Sequence, residues 1–467
     1  MSGNRRATSS VWVPIEPVEP RTTILLIRNK GTGCHNPGVT STPASAARDT
    51  RFRVTEVQAR DLVAQLGTPL YVMDEAHLRA RISEYREAFK INWPHPELSF
   101  ATKANSTLGV LRIASEEGCH LDVASEGEFR AALLAGADPS LCHLHGNNKS
   151  RSEIEFALTN KIGKIVLDHF GEIDMISSLW KKEYATKLVI RLAPGVDPVT
   201  HAKISTGQSD TKFGFNITDG SGERALQKCL GLNLPIIGFH CHVGSQLLDP
   251  SAQEAGGALI AEFARQMEQL HGYRTQYLNV GGGLGVRYTD ADVPMDILDY
   301  NRLVTTAVRN AMGRDDFTLG QEPGRSLVAE SGVTLYTVGV VKSVPTSTGT
   351  RTYVAVDGGL ADNPRPALYG SPYTVERAGS VSANHGQFTV SGRHCETDRL
   401  FENIALPNDL AEGDILQVLC TGAYNSSMAS NYNRYPRPPV VLLSNGGDVR
   451  LIARRDSYDE MFARETA

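Results

Sequence analysis

From residue 98 to residue 324 short β-rich runs alternate with amphipathic segments, eight times over, and no other feature so narrows the folds open to this chain. The runs are "LSFATK" (98–103), "HLDVA" (120–124), "LCHLHG" (141–146), "KIVLD" (164–168), "KLVIRL" (187–192), "IIGFHCHVG" (236–244), "QYLNVGGG" (276–283) and "FTLGQEPG" (317–324). Helical stretches such as "SEGEFRAALLAG" and "SAQEAGGALIAEFARQMEQL" lie between them. A crossover helix returns the next strand parallel to the last, so the alternation implies a parallel sheet. Eight such units predict a closed (β/α)8 TIM-like barrel. A doubly wound open sheet is the alternative, but no dinucleotide-type glycine pattern follows the first strand.

Past residue 330 the pattern changes. "GVTLYTVGVVKSV", "TRTYVAVDGG", "GQFTVSGRHC", "GDILQVLCTG", "PVVLLSNGG" and "VRLIARRDSY" are β-rich runs separated by turn residues. They predict a mainly antiparallel β domain over 331–467, next to a barrel over 96–330, so the fold class is α/β. Residues 51–95 lead into the barrel and are expected to pack with the β domain. Residues 1–50, rich in Ser, Thr, Gly, Pro and Ala, read as a disordered extension. A transit peptide is the other reading of that stretch, and Glu16, Glu19 and Asp49 weigh against it.

Composition excludes several function classes. A net charge of −5 leaves no basic footprint for nucleic acid. No apolar run approaches a membrane span. The seven cysteines are scattered and form no CxxC pair, which argues against a disulfide framework or a structural zinc. A cytoplasmic location is expected, with no metal.

Barrel enzymes carry their chemistry at the C-terminal ends of the strands. There the sequence places Lys103, Asp122, His145 with Asn147 and Asn148, Asp168, Arg191, His242 with Ser245, Gly281, Gly282 and Gly283, and Glu322 with Arg325. So many polar groups are costly as core filling and make sense lining one pocket. Lys103 taken alone reads as half of a salt bridge, although a desolvated lysine amine can also form a Schiff base. Glycines in "NVGGGLG" let backbone N–H groups approach phosphate oxygens. Glu322 suits either Arg325 or a ring nitrogen. His242 is either a satisfied interior histidine or a ring stacked on an aromatic cofactor, with Ser245 donating to a phosphate. Pyridoxal phosphate is the one ligand that uses a lysine, an acid and a phosphate cradle together.

"FATKAN", "LDVASEGE", "HGNNKS", "STGQSDTKFGF", "HCHVGSQ", "NVGGGLG" and "EPGRSLVAESG" resemble, in order, the motifs of the fold-type III, alanine-racemase-like pyridoxal-phosphate decarboxylases. "DNPRPALYG", "CETD" and "CTGAYNSSMASNYNRYPRPP" narrow the resemblance to the diaminopimelate decarboxylases. It runs from about residue 53 to residue 463. The resemblance implies pyridoxal 5'-phosphate on Lys103 and decarboxylation of meso-diaminopimelate to L-lysine. It implies that Glu322 pairs with the pyridinium nitrogen, that His242 stacks on the ring and that Asp122 supports the arrangement. Ser245, Gly281, Gly282, Gly283, Gly324 and Tyr424 are then expected around the phosphate. Arg325, Arg365 and Tyr369 are expected to hold the distal carboxylate of the substrate, and Glu396 its distal ammonium. Cys395 is expected to return a proton after CO2 leaves. In the family the segment bearing Cys395 and Glu396 reaches the neighbouring subunit's site, so a homodimer with shared active sites is implied.

One departure stands out. The family reads Cys-Glu-Ser-Gly-Asp where this chain reads "HCETDRLF", one residue shorter after Glu396. The competing readings are a related decarboxylase acting on D-ornithine, D-lysine or another amino acid, an amino-acid racemase, and a non-enzymatic cofactor-binding protein.

Overall fold

The computed structural model describes residues 49–196, 211–347, 349–379, 384–397 and 399–466. All but the last two residues of the expected N-terminal extension lie outside that range.

The first strand, β1 (Leu70–Asp74), precedes the barrel. The barrel strands follow: β2 (Pro96–Ala101), β3 (His120–Val123), β4 (Cys142–Leu144), β5 (Lys164–Leu167) and β6 (Lys187–Ala193). A two-residue β7 (Phe215–Asn216) extends the edge of β6, and β8 (Ile236–His240), β9 (Tyr277–Asn279) and β10 (Thr318–Gln321) complete the set. Every neighbour pair is parallel, and β5 pairs with both β4 and β6, which closes eight strands into a ring. All eight sequence runs fall on these strands, so the predicted TIM-like barrel is observed. Stretches such as "IVL" in β5 and "LVIRLA" in β6 are buried throughout, as strands covered on both faces must be.

The second layer is a sheet built mostly from the C-terminal part of the chain, β11 (Gly332–Thr346), β12 (Gly349–Val356), β13 (Val375–Arg377), β14 (His385–Ser391), β15 (Arg399–Pro407), β16 (Ile415–Leu419), β17 (Val440–Leu443) and β18 (Val449–Ala453). It is mainly antiparallel. β1 sits inside it, antiparallel to β11 with Leu70 opposite Leu335, and parallel to β17 with Tyr71 opposite Val440. The chain therefore passes through the β sheet at β1, leaves to build the barrel and returns. No helix among the described residues is long and apolar enough to cross a membrane.

Two local devices aim the functional loops. After β2 a single 3-10 turn, Thr102–Ala104, carries Lys103 out of the barrel mouth. It is stitched to the β domain: the Tyr424 N–H donates to Ala104 O at 2.7 Å, Asn105 Nδ2 donates to Gly422 O at 3.0 Å, and Ser427 Oγ donates to Lys103 O at 3.0 Å. After β4 the loop "HGNNKS" is held by Lys149. Its ammonium donates to Gly146 O, Val166 O and Glu172 Oε1 at 2.6–2.7 Å. Ser150 then caps the helix Arg151–Thr159, with Glu153 reaching back to the Ser150 N–H.

Lys149→Met keeps most of the stem volume but leaves Glu172, fully buried, without its counter-charge. Breaking a buried pair in this way costs about 3–5 kcal/mol. A urea titration of the variant should show a loss of that size, and an unchanged midpoint would mean that Glu172 finds compensation elsewhere.

Candidate active site

The mouth of the barrel and the β domain enclose a cavity of about 430 Å³. Lys103 reaches into it, and no hydrogen bond or ion pair of its ammonium is found among the described residues. The salt-bridge reading of this lysine therefore finds no partner among the described residues.

Glu322, one residue past β10, lines the floor and is buried. Its carboxylate accepts from Asn279 Nδ2 at 2.7 Å and from His240 Nε2 at 3.0 Å, and His145 Nε2 lies 3.1 Å away. It does not pair with Arg325, so the first of its two sequence readings falls away. Burial works to raise the Glu322 pKa, but the attraction of His145 and the hydrogen bonds of His145 and His240 outweigh it, and the carboxyl is held well below its usual range. Burial pushes Asp122 up to about 6, with His145 3.4 Å away pulling the other way. His145 lies between the two carboxylates, whose attraction overcomes burial and raises its pKa. Burial pushes His240 down to about 4 and His242 well below its usual value, so both are neutral at pH 7. His242 Nδ1 accepts the Gly282 N–H at 3.3 Å.

Gly282 and Gly283 form one wall of the cavity. A Cβ on Gly282 would lie 2.2 Å from Glu322 O, and one on Gly283 would lie 2.7 Å from Gly244 O. The close approach of these backbones admits only glycine. Gly281 does not line the cavity; its N–H is bound by Asn279 Oδ1 at 2.8 Å.

Two guanidiniums complete the opposite wall. Arg325 begins the short helix after Glu322-Pro-Gly324 and donates to the Tyr288 hydroxyl and to Ser245 Oγ at 3.1 Å. Arg365 and Tyr369 are four apart on the five-residue helix Arg365–Tyr369 and share one face of it. Both guanidiniums lie over the Tyr424 ring, at 4.8 and 5.3 Å from its centroid. Both arginines are 5% exposed, each has an Nε without a hydrogen-bond partner, and neither pairs with a carboxylate among the described residues.

The cavity thus gathers Lys103, Asp122, His145, Asn147, Arg191, His242, Ser245, Gly282, Gly283, Glu322, Gly324, Arg325, Arg365, Tyr369 and Tyr424. Asn148 is exposed and Asp168 is turned to the Gly214 N–H. Cys395 and Glu396 do not line the cavity of their own chain. Both are exposed: the Cys395 N–H donates to Asn433 Oδ1 at 2.8 Å, and the Tyr432 hydroxyl donates to Glu396.

These residues fit pyridoxal phosphate: an unpaired amine, an ionised buried acid on the floor, a neutral imidazole beside it and a side-chain-free glycine wall. Comparison with known proteins agrees. Residues 75–329 match the model of the pyridoxal-dependent decarboxylase, pyridoxal binding domain, family. The chain is 41% identical over 412 residues to the diaminopimelate decarboxylase of Bacillus subtilis (strain 168), covering 87% of this chain and 93% of that protein.

The chain belongs to the diaminopimelate decarboxylase family.

Solved structures of the family superpose over most of its length. The diaminopimelate decarboxylase from M. jannaschii in complex with L-lysine has a TM-score of 0.80 at 31% identity, covering 90% of this chain and 97% of that one. The Helicobacter pylori enzyme complexed with L-lysine has a TM-score of 0.76 at 30% identity, covering 86% and 98%.

Sequence reasoning passed over His240, Asn279, Tyr288 and Phe213. His240 stands two residues before His242 in "HCHVG", and period-2 alternation was a usable signal that both face the same way. Asn279 ends β9 directly before the glycine cluster and could have been read as a strand-end polar group. Tyr288 lies in a loop that nothing local marks, whereas Phe213 falls within the family-like "STGQSDTKFGF" without a role assigned to it; the Arg191 guanidinium stacks 4.3 Å from the Phe213 ring centroid.

The depressed histidines carry a pH signature. In the unfolded chain His240 protonates near pH 6.5, whereas in the folded chain it stays neutral down to about 4. Between those values the unfolded state binds more protons, so stability falls as pH falls. The full loss is about 3 kcal/mol for this one group. Denaturation midpoints taken from pH 7 to pH 4 should show the decline, and His240→Gln should flatten it.

Proposed function

We infer that this chain decarboxylates meso-diaminopimelate to L-lysine and CO2, with pyridoxal 5'-phosphate as cofactor. The observation that carries the reading is the pair of buried guanidiniums, Arg325 and Arg365, without a protein carboxylate, in the cavity that also holds Lys103 and Glu322. Unpaired buried charge is expensive, so a site built this way is built for an anion. A decarboxylase for a simple diamino acid has no use for it, whereas diaminopimelate brings a second carboxylate.

When bound, pyridoxal phosphate supplies the sink for the electron pair left as CO2 departs. Lys103 is assigned to hold it through its amine. Glu322, kept ionised by His145, His240 and Asn279, holds a proton on the ring nitrogen. His242, neutral and tied to the Gly282 N–H, would flank the ring, and Asp122 would support the arrangement through His145. Ser245, Gly281, Gly282, Gly283, Gly324 and Tyr424 are assigned to the phosphate side, with Gly281 acting only through the shape of the loop. Arg325, Arg365 and Tyr369 are assigned to the distal carboxylate, which matches the planar fork of a guanidinium.

Cys395 is assigned as the acid that returns a proton to the carbon vacated by CO2, and Glu396 as the partner of the distal ammonium. Their exposure outside the cavity of their own chain supports a homodimer in which each serves the other subunit's site. The amino-acid substrate and this second copy are the partners of the reading.

Purified protein given meso-diaminopimelate should release lysine and CO2, and borohydride should fix the cofactor to the Lys103 peptide. Labelling of a different lysine would reject the assignment. Charged hydrogen bonds are worth about 1.5–3 kcal/mol, so Arg365→Ala should lower kcat/KM by roughly tenfold to a hundredfold while leaving cofactor absorbance unchanged. If wild-type enzyme prefers a substrate lacking the second carboxylate, such as D-ornithine or D-lysine, the carboxylate assignment fails.

The dimer has its own test. Mixing Lys103→Ala with Cys395→Ala subunits gives heterodimers in which one of two sites is intact, so random exchange should recover about a quarter of wild-type activity. No recovery after proven subunit exchange would place each site within one chain.

A further inference from the structure

Beneath the cavity the barrel interior holds a second polar cluster that the reaction, as described, does not use. Glu97, His120, His143 and Lys164 stand near the N-terminal ends of β2, β3, β4 and β5. The Lys164 ammonium donates to Glu97 Oε2 at 2.7 Å and lies 2.9 Å from His143 Nε2. His120 Nδ1 is 3.4 Å from the same carboxylate and 3.2 Å from His143 Nε2. Glu97, His120 and His143 lie close enough together to surround a metal ion, but the ammonium of Lys164 already stands among them as the cation. Burial lowers the pKa of both histidines, so the charge in the cluster is that of the Glu97–Lys164 pair.

From this cluster a continuous hydrogen-bond chain climbs to the cavity floor. The Tyr277 hydroxyl donates to Glu97 Oε1 at 2.6 Å. Asn279 Nδ2 donates to the Tyr277 oxygen at 2.8 Å and to Glu322 Oε1 at 2.7 Å. Asn279 Oδ1 accepts the Gly281 N–H at 2.8 Å, at the root of the glycine loop. Space is reserved for this contact: a Cβ on Gly320 would lie 2.6 Å from the Tyr277 hydroxyl and 2.7 Å from Asn279 Nδ2.

The chain has a direction, and the carboxylates at its two ends set it. An ionised carboxylate only accepts. Glu97 therefore obliges the Tyr277 hydroxyl to point down to it, which leaves the phenolic oxygen free to accept from Asn279. Asn279 then presents N–H to Glu322 and its carbonyl to Gly281. Without the charge at Glu97 the hydroxyl can turn its hydrogen towards Asn279 Nδ2, a donor facing a donor, and that repulsion strains the amide that Glu322 and the Gly281 N–H hold in one sense.

We propose that Glu97 and Tyr277 are positioning residues for the decarboxylation: Glu97, paired with Lys164, fixes the direction of a hydrogen-bond chain through Tyr277 and Asn279 that keeps Glu322 oriented. The proposal rests on the reading that Glu322 faces the ring nitrogen of the cofactor.

The test uses the holoenzyme with Glu97→Gln and Tyr277→Phe, scored by kcat, KM, the pH titration of the visible chromophore and the melting temperature. Both variants should lower kcat by about tenfold, the cost of one unsatisfied buried group, with little change in KM. Both should also shift the chromophore titration in the same direction as Glu322→Gln. Glu97→Gln is nearly isosteric and decides the matter if Tyr277→Phe does not fold. Wild-type kcat and an unmoved titration in Glu97→Gln, with only the melting temperature lowered, would make the cluster a packing feature and overturn the proposal. If Glu322→Gln itself leaves activity and chromophore unchanged, the assignment of Glu322 fails instead, so the two failures are distinguishable.

Discussion

A carboxylate buried on the floor of the barrel is the constraint around which the rest is arranged. Removing Glu322 from water costs several kcal/mol unless donors replace the lost hydration. Asn279 from β9, His240 from β8 and His145 from the loop after β4 supply that replacement at 2.7–3.1 Å. Those three elements are brought to one point by closure of the eight-strand ring. Burial then depresses His240 and His242 and raises Asp122, while the two carboxylates hold His145 above its ordinary value.

The second constraint is that the cavity belongs to two domains. Lys103 comes from the barrel, but its turn is tied to the 422–427 loop of the β domain through backbone and side-chain hydrogen bonds. Arg325 comes from the barrel and Arg365 from the β domain, and Tyr424 lies against both. Tyr424 has φ +60°, a left-handed conformation that costs a non-glycine residue about 1–3 kcal/mol. It is held there by its N–H to Ala104 O and by the two guanidiniums on its ring. Strain at this residue marks where the two domains meet at the cavity.

The same geometry explains why β1 precedes the barrel in sequence yet lies in the β sheet. Pairing of Leu70 with Leu335 and of Tyr71 with Val440 fastens the segment before the barrel to strands that follow it.

Much of this protein was legible without coordinates, because the deciding signals are local. Strand–helix alternation is a property of neighbouring residues, and it determined the barrel. The rule that barrel chemistry sits at strand ends then picks out Lys103, Asp122, His242, Glu322 and Arg325, which line the cavity, together with Asn148, Asp168 and Gly281, which do not. What only the tertiary structure decided are pairings between residues far apart in the chain. Glu97 and Lys164 look like ordinary strand-end charges, and Tyr277 like an aromatic strand residue. Only ring closure places them 2.6–2.7 Å apart beneath Asn279. Likewise nothing local separates Glu322 as a partner of Arg325 from Glu322 as a partner of two histidines. Nor does anything local tell that Cys395 and Glu396 face away from their own chain's cavity. Those choices depend on which side chain arrives at which point in space, and a linear pattern with a period of two or 3.6 residues carries no such distance.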